Sequence, residues 1–209
     1  MEKKYKLTNE TIMVCGKTLY RIEALRNFSF VEKGERGGFV EKEENLSHSG
    51  DAWVYDNALV SGNARVYGNA WVYDNALVSG NALVSGNAHV YDNAHVCDKA
   101  YVYGNAHVCG SAHVCGSAHV CDKAYVYGNA HVCCDALVYG DKDYILFKNW
   151  WSSGRYFTWT RSNNKWKVGC FYGTGEELIK KAYKDSEKSG REYERVVRYV
   201  ESILADEKK

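Results

Sequence analysis

The 209-residue chain contains no proline. Ordinary usage is about 5%. Each proline would delete a donor from a backbone ladder, so its absence fits a chain dominated by regular pairing. Long apolar runs are missing too. No segment approaches the roughly 18 apolar residues of a membrane span, and the opening MEKKYKLTNE has no apolar signal core. The expectation is a soluble, cytoplasmic protein with no membrane partner. Net charge is nearly absent, with 27 Lys and Arg against 26 Asp and Glu. Such a balance creates no global field toward nucleic acid or membrane. Between Gly50 and Tyr139, seven Asp face one Arg and two Lys, too sparse a charge to imitate a phosphate array. Nucleic acid is therefore not the expected partner.

What is present in quantity is a repeat. From Gly50 to Tyr139 the chain reads as fifteen hexads of the form [GD]-[NDSK]-A-x-V-[YSC], and Cys134 is the one departure at the first slot. A strict six-residue period marks a parallel β-helix, with one short strand and one corner per hexad. Ala and Val stand two apart and share the core side, while the slot between them and the slot after Val point outward. Gly, Asn and Asp suit the corners because they tolerate positive φ. Three hexads per turn give an 18-residue coil and five coils in all.

On these residues the chain resembles the hexapeptide-repeat, left-handed β-helix superfamily. It is most similar to GNAxVYGNA-repeat proteins of bacteriophages and related bacterial elements, in which the array follows a segment like GGFVEKEENLSHSG, here Gly37 to Gly50. The resemblance covers about Lys6 to Tyr139. It implies a left-handed triangular coil, a hand that spacing alone does not give and that breaks the usual right-handed crossover rule.

The expected class is mainly β, in three parts. Residues 1–49 form a β hairpin and cap, with TIMVCGKTLYRIEAL turning at Cys15-Gly16-Lys17. Residues 50–141 form the β-helix. Residues 142–209 form a small α+β module. In that module, Tyr144 to Gly175 holds ten aromatic and five basic residues and no acid. RYFTWT and KWKVGC predict a hairpin, with Tyr144 to Phe147 as a possible third strand. Two helices follow, with capping boxes at Thr174/Glu177 and Ser189/Glu192. Tyr193, Val196, Val197, Val200, Ile203 and Leu204 make the apolar stripe of the second helix.

The eight cysteines do not resemble the disulfide frame of a small secreted domain, because five of them recur at one repeat slot. Reduced thiols are expected. His-Val-Cys occurs five times, and the 18-residue coil stacks His95, His113 and His131 beside Cys97, Cys115 and Cys133. This ladder has the right atoms for a thiophilic metal, but a flat wall does not converge ligands tetrahedrally. DKAYVYGNAHVC recurs after 24 residues, four hexads, so the copy lands on another face. Duplication with drifting outer slots explains the ladder, and neither a metal nor another cofactor is expected.

WVYDNALVSGNA recurs after 18 residues and keeps its face, stacking Trp53 on Trp71 and Leu59 on Leu77. These four residues form a candidate contact surface, with cover by the N-terminal cap as the alternative. In the C-terminal hairpin, alternation turns Phe157, Trp159, Trp166 and Val168 toward the helices. Tyr156, Thr158, Thr160, Lys165 and Lys167 then form a polar, basic opposite face, with Arg155 and Arg161 at its margins. That face suits an anion.

The resulting expectation is a non-catalytic binding or scaffold protein, homo-oligomeric and by preference trimeric. Its partner would be a host protein to be occluded or an anionic small molecule, such as a nucleotide signal, to be sequestered in counter-defence. The alternative, implied by the resemblance, is an acyltransferase using a CoA-linked donor. Against it, the fifteen hexads carry no insertion to build a pocket, and the sequence supplies no acidic partner that would mark one histidine as a base.

Overall fold

The structure is a computed structural model that describes residues 2–207. The chain divides into two compact units, residues 1–143 and 144–209.

The first unit is a parallel β-solenoid of about six turns with an antiparallel extension. β1 (Tyr5–Val14) and β2 (Lys17–Ala24) form the expected hairpin, with Cys15 and Gly16 at positive φ in its two-residue turn. β3 (Arg36–Val40) pairs antiparallel with β2 and parallel with the strand at Leu59–Val60. The cap is thus the continuation of one solenoid sheet. Fifteen two-residue strands follow, β4 (Trp53–Val54) through β18 (Leu137–Val138), one per hexad. Every third strand pairs in register. One face carries Trp53, Trp71, His89, His107 and Tyr125. The second carries Leu59, Leu77, His95, His113 and His131. The third carries Arg65, Leu83, Tyr101, His119 and Leu137.

The repeat supplies five coils as expected. An irregular turn precedes them, in which Phe39 and Val40 pair with Leu59 and Val60, and Leu46 bridges to Val66. Every repeat Ala and Val is fully or almost fully buried. At ~1.5–3 kcal/mol per buried Val, this stacked core is the main source of the solenoid's stability.

Positive φ falls on the first slot of all fifteen hexads, from Gly50 to Cys134. The second slot works differently. Its asparagines stack across coils, with Asn69 donating to Asn87 at 3.1 Å and Asn87 to Asn105 at 3.0 Å. The left-handed conformation expected of Gly, Asn and Asp alike therefore belongs to Gly and Asp here, and Asn serves as a side-chain ladder.

Backbone N–H groups of each coil donate to carbonyls of the next, as from His89 to Ala106 at 2.9 Å. The carbonyls of the first coil consequently need donors from outside the repeat. β3 and the residue after it supply two, with Phe39 N donating to Ala58 and Glu41 N to Val60. Asn45, fully buried, donates through Nδ2 to Gly62 and Ala64. Lys4, also fully buried, donates through Nζ to Ala52 at 2.6 Å and Gly50 at 3.2 Å.

The second unit has a four-stranded antiparallel sheet, one strand more than expected: β19 (Tyr144–Lys148), β20 (Tyr156–Thr160), β21 (Lys165–Val168) and β22 (Phe171–Gly173). Phe157, Trp159, Trp166 and Val168 form one core with Leu178, Ile179, Tyr193, Val197 and Val200. These helical residues come from α1 (Gly175–Asp185) and α2 (Glu187–Asp206). Thr174 and Glu177 form the expected capping box. The second box is corrected. Ser186, extended at φ −171°, ends α1 and caps α2 by accepting from Ser189 N, so Ser189 lies inside the helix. Glu192 pairs with Arg195 instead.

Candidate functional site

The basic sheet face expected of the C-terminal unit is not an open cationic platform. Thr158 and Thr160 are 2% and 4% exposed. Cross-strand pairing sets Thr158 between Leu146 and Lys167, and Thr160 between Tyr144 and Lys165, so longer neighbours flank both. The Thr160 hydroxyl donates to Asn163 Oδ1 at 2.6 Å. Tyr156, Lys165 and Lys167 are half-buried, Arg155 is exposed, and Arg161 is ion-paired with Glu207 at 2.8 Å. Sequence reasoning overlooked a different feature of this unit. Trp150 and Trp151 are 74% and 63% exposed on the loop after β19. Lys148 Nζ lies 4.5 Å from the Trp150 ring centre.

The His/Cys ladder exists in the expected register. Ring centres are 4.7 Å apart for His95 and His113, and 4.6 Å for His113 and His131. Burial, followed by neighbouring His95, lowers the pKa of His113. Hydrogen bonding to Cys115, followed by burial, drives the Cys97 and Cys133 thiols far up. Each is hydrogen-bonded to Cys115 on the coil between them, and a thiol held in its protonated form is a poor ligand or nucleophile. Among the described residues, no group of three or more His, Cys, Asp or Glu has the geometry to hold a metal ion.

His48 is the histidine set nearest a carboxylate, 3.8 Å from Glu43. Its Nδ1 accepts from Lys4 N at 3.2 Å, which places the ring proton on Nε2, and Nε2 is buried. The ring stacks on Tyr5 with centres 4.4 Å apart. Its one lone pair is occupied, so it closes the cap and does not present a base. An open groove of about 610 Å³ beside it is lined by Glu43, Glu44, Arg65, Tyr67 and Tyr101 among others.

The most developed surface lies on the face of Trp53. Trp53 itself is fully buried, with Phe28 and Tyr5 set edge-on to it at 5.3 and 6.1 Å. The contact stripe expected of Trp53 and Trp71 is corrected accordingly: cap residues cover the first ring, and the available surface begins one coil later. Leu59 and Leu77 are half-buried on the adjoining face.

From Trp71 onward, two columns of rings run side by side. One is Trp71, His89, His107 and Tyr125; the other, from the slot after Val, is Tyr55, Tyr73, Tyr91 and Tyr127, interrupted by Cys109. Trp71 and His89 are 5.5 Å apart, and His89 and His107 stack at 4.9 Å. Tyr73 and Tyr91 are parallel within 2° at 4.8 Å. The Tyr91 and Tyr125 hydroxyls share a hydrogen bond of 2.7 Å. Burial, with nearby Asp74 and Asp92 next, pushes Tyr73 up to about 12.

The sequence contained a signal for this wall. Tyr55, Tyr73, Tyr91 and Tyr127 are spaced by multiples of 18, but the hexad view treats their slot as an afterthought to Val. Phe30 had no such signal. It is 82% exposed on the Phe28–Val31 turn and lies edge-on to Trp71 at 5.8 Å.

Comparison with known families places part of the array beside a described repeat. Residues 52–68, 60–74, 64–79, 70–86 and 76–92 match the family described as YdcK beta solenoid repeat. These overlapping stretches cover the first coils, where the wall begins. No curated protein matches the chain.

Proposed function

We propose that the protein is a non-catalytic binding scaffold whose working surface is the ring-lined wall from Trp71 to Tyr127. The observation that carries this reading is the pair of in-register ring columns on one solenoid face. The stacked coils hold the wall rigid, so its rings lose little conformational freedom on contact. Aromatic rings supply large contact area at low entropic cost, which is why they dominate binding hot spots. The wall suits a partner with an apolar or planar surface better than a bare anion, because its slots carry Trp, Tyr and His and no Lys or Arg. Occlusion of a host protein in a bacterial cytoplasm, by a homo-oligomer of left-handed hexapeptide-repeat type, belongs to the same reading.

The acyltransferase alternative finds less support. His89, His95, His107, His113, His119 and His131 each have another ring as neighbour one coil away, and His48 is closed as described.

The test is native mass spectrometry of the full chain recovered gently from bacterial lysate, with Tyr91→Ser/His107→Ser beside it. The wild type should carry extra mass, and the double variant should lose that mass with an unchanged circular dichroism spectrum. Equal retention by both would move the working surface elsewhere. Calorimetric binding of a CoA thioester would restore the transferase reading.

A further inference from the structure

At its N-terminal end the wall becomes concave. An open cleft of about 620 Å³ is lined by Phe30, Tyr55, Asp56, Trp71, Tyr73 and His89. Four aromatic rings therefore face one space from different directions. Phe30 overhangs it from the cap turn, edge-on to Trp71. Tyr55 lies tilted against Trp71 at 5.4 Å. Tyr73 closes the next coil, set perpendicular to His89 at 6.0 Å.

Asp56 supplies the charge. It is exposed at the corner after Tyr55. Equivalent corner aspartates spend a carboxylate oxygen on the coil above: Asp92 Oδ2 accepts from Gly110 N at 2.9 Å, and Asp98 Oδ2 from Gly116 N at 3.0 Å. Among the described residues, the Asp56 carboxylate makes no such bond and no ion pair. Glu35 and Asp56 both act on Tyr55, pushing it up to about 12 together with burial, the largest cause. Arg21 donates through its guanidinium to the Asp56 backbone carbonyl at 3.2 Å. Arg21 is already paired with Glu10 at 2.7 Å and stacked on Phe39 at 4.1 Å. Burial, with His107 second, lowers the pKa of His89, which disfavours an opposing charge on the one imidazole that lines the cleft.

Converging aromatic rings with one unpaired carboxylate are the chemistry that recognises an organic cation. The negative face of each ring attracts the charge, and a soft, weakly hydrated quaternary ammonium loses little by leaving water. We propose that this cleft is a binding site for a quaternary ammonium group, with Trp71, Tyr55, Tyr73 and Phe30 as its cage and Asp56 as its counter-ion. The proposal deepens the reading of the wall as the working surface and rests on it.

The experiment is a titration of the full chain with choline and with its uncharged isostere, in which carbon replaces the ammonium nitrogen. The readout is the Trp71 indole N–H resonance in a proton–nitrogen correlation spectrum. Choline should shift that resonance saturably, and the isostere should bind at least ~10-fold more weakly. Phe30→Ala and Asp56→Asn should each weaken choline ~3-fold or more. Both spare the fold, since Phe30 is exposed and Asn tolerates the positive φ of 50° at position 56. Equal affinity for the two probes, no shift with choline, or an unaffected Asp56→Asn variant would overturn the proposal. Tyr91 and His107 lie outside the cleft. Loss of partner in their double variant without choline binding would therefore overturn the cage and leave the wall standing.

Discussion

At the scale of single residues, the corner slot shows how firmly backbone conformation selects side chains. Its glycines cluster near φ +65° to +72°, and its aspartates are drawn in to +50° to +59°. Cys134 holds +63° with neither advantage. A left-handed conformation costs an ordinary L-residue roughly 1–2 kcal/mol, against which glycine loses ~0.5–1 kcal/mol of chain entropy. Cys134→Gly should therefore stabilise the protein by ~0.5–1 kcal/mol, a rise of about 1–3 °C in melting temperature by scanning calorimetry. No rise would mean that Cys134 is compensated by its neighbour Cys133, whose sulfur lies 3.7 Å away. The departure at this slot was visible in the sequence. That its second-slot asparagines would form amide ladders was not, since the residue types suit either role.

At the scale of elements, the junction between cap and solenoid depends on close backbone approach. β3 runs over the first coil through Gly37 and Gly38. A Cβ at position 38 would lie 2.6 Å from the Ala58 carbonyl oxygen and 2.7 Å from Val54 Cγ1. Gly38→Val would push β3 off the coil and lengthen the Phe39-to-Ala58 hydrogen bond, now 2.9 Å. The expected cost is ~2 kcal/mol or more, read as a lower midpoint in urea. An unchanged midpoint would mean that β3 contributes little to the solenoid's end. The sequence showed that Gly37 to Gly50 precedes the array, yet not that it forms an extra turn, because it lacks the Ala-x-Val signature and pairs 20 residues along the chain instead of 18. The helices divide similarly. Thr174 and Glu177 were legible as a box, while the shared role of Ser186 depends on how tightly α1 and α2 are joined.

At the scale of the whole molecule, a solenoid must close its open end, and Lys4 does so with a charge in an unusual place. In MEKKYK it reads as one more solvated lysine. The three-dimensional demand, two first-coil carbonyls without a preceding coil, is what buries it. Burial first, and Arg26 second, lower its pKa from 10.5 to about 8. The unfolded chain therefore binds the proton more tightly than the folded one, so stability rises as pH climbs through the window from about 8 to 10.5. Deprotonation costs no pairing, because a neutral amine keeps two N–H donors for the two carbonyls of Gly50 and Ala52. Lys4→Met removes both donors at every pH and should cost ~2 kcal/mol at pH 7. Urea unfolding of both proteins across the window isolates the group, since other titrations cancel in the difference. The gap between wild type and variant should widen by ~2–3 kcal/mol as pH rises. A gap that stays constant would place the ammonium in contact with water, and one that narrows would show that the end is closed by its charge. The widening gap belongs to an amine acting as a pure hydrogen-bond plug, whose two N–H donors and not its charge close the solenoid's end.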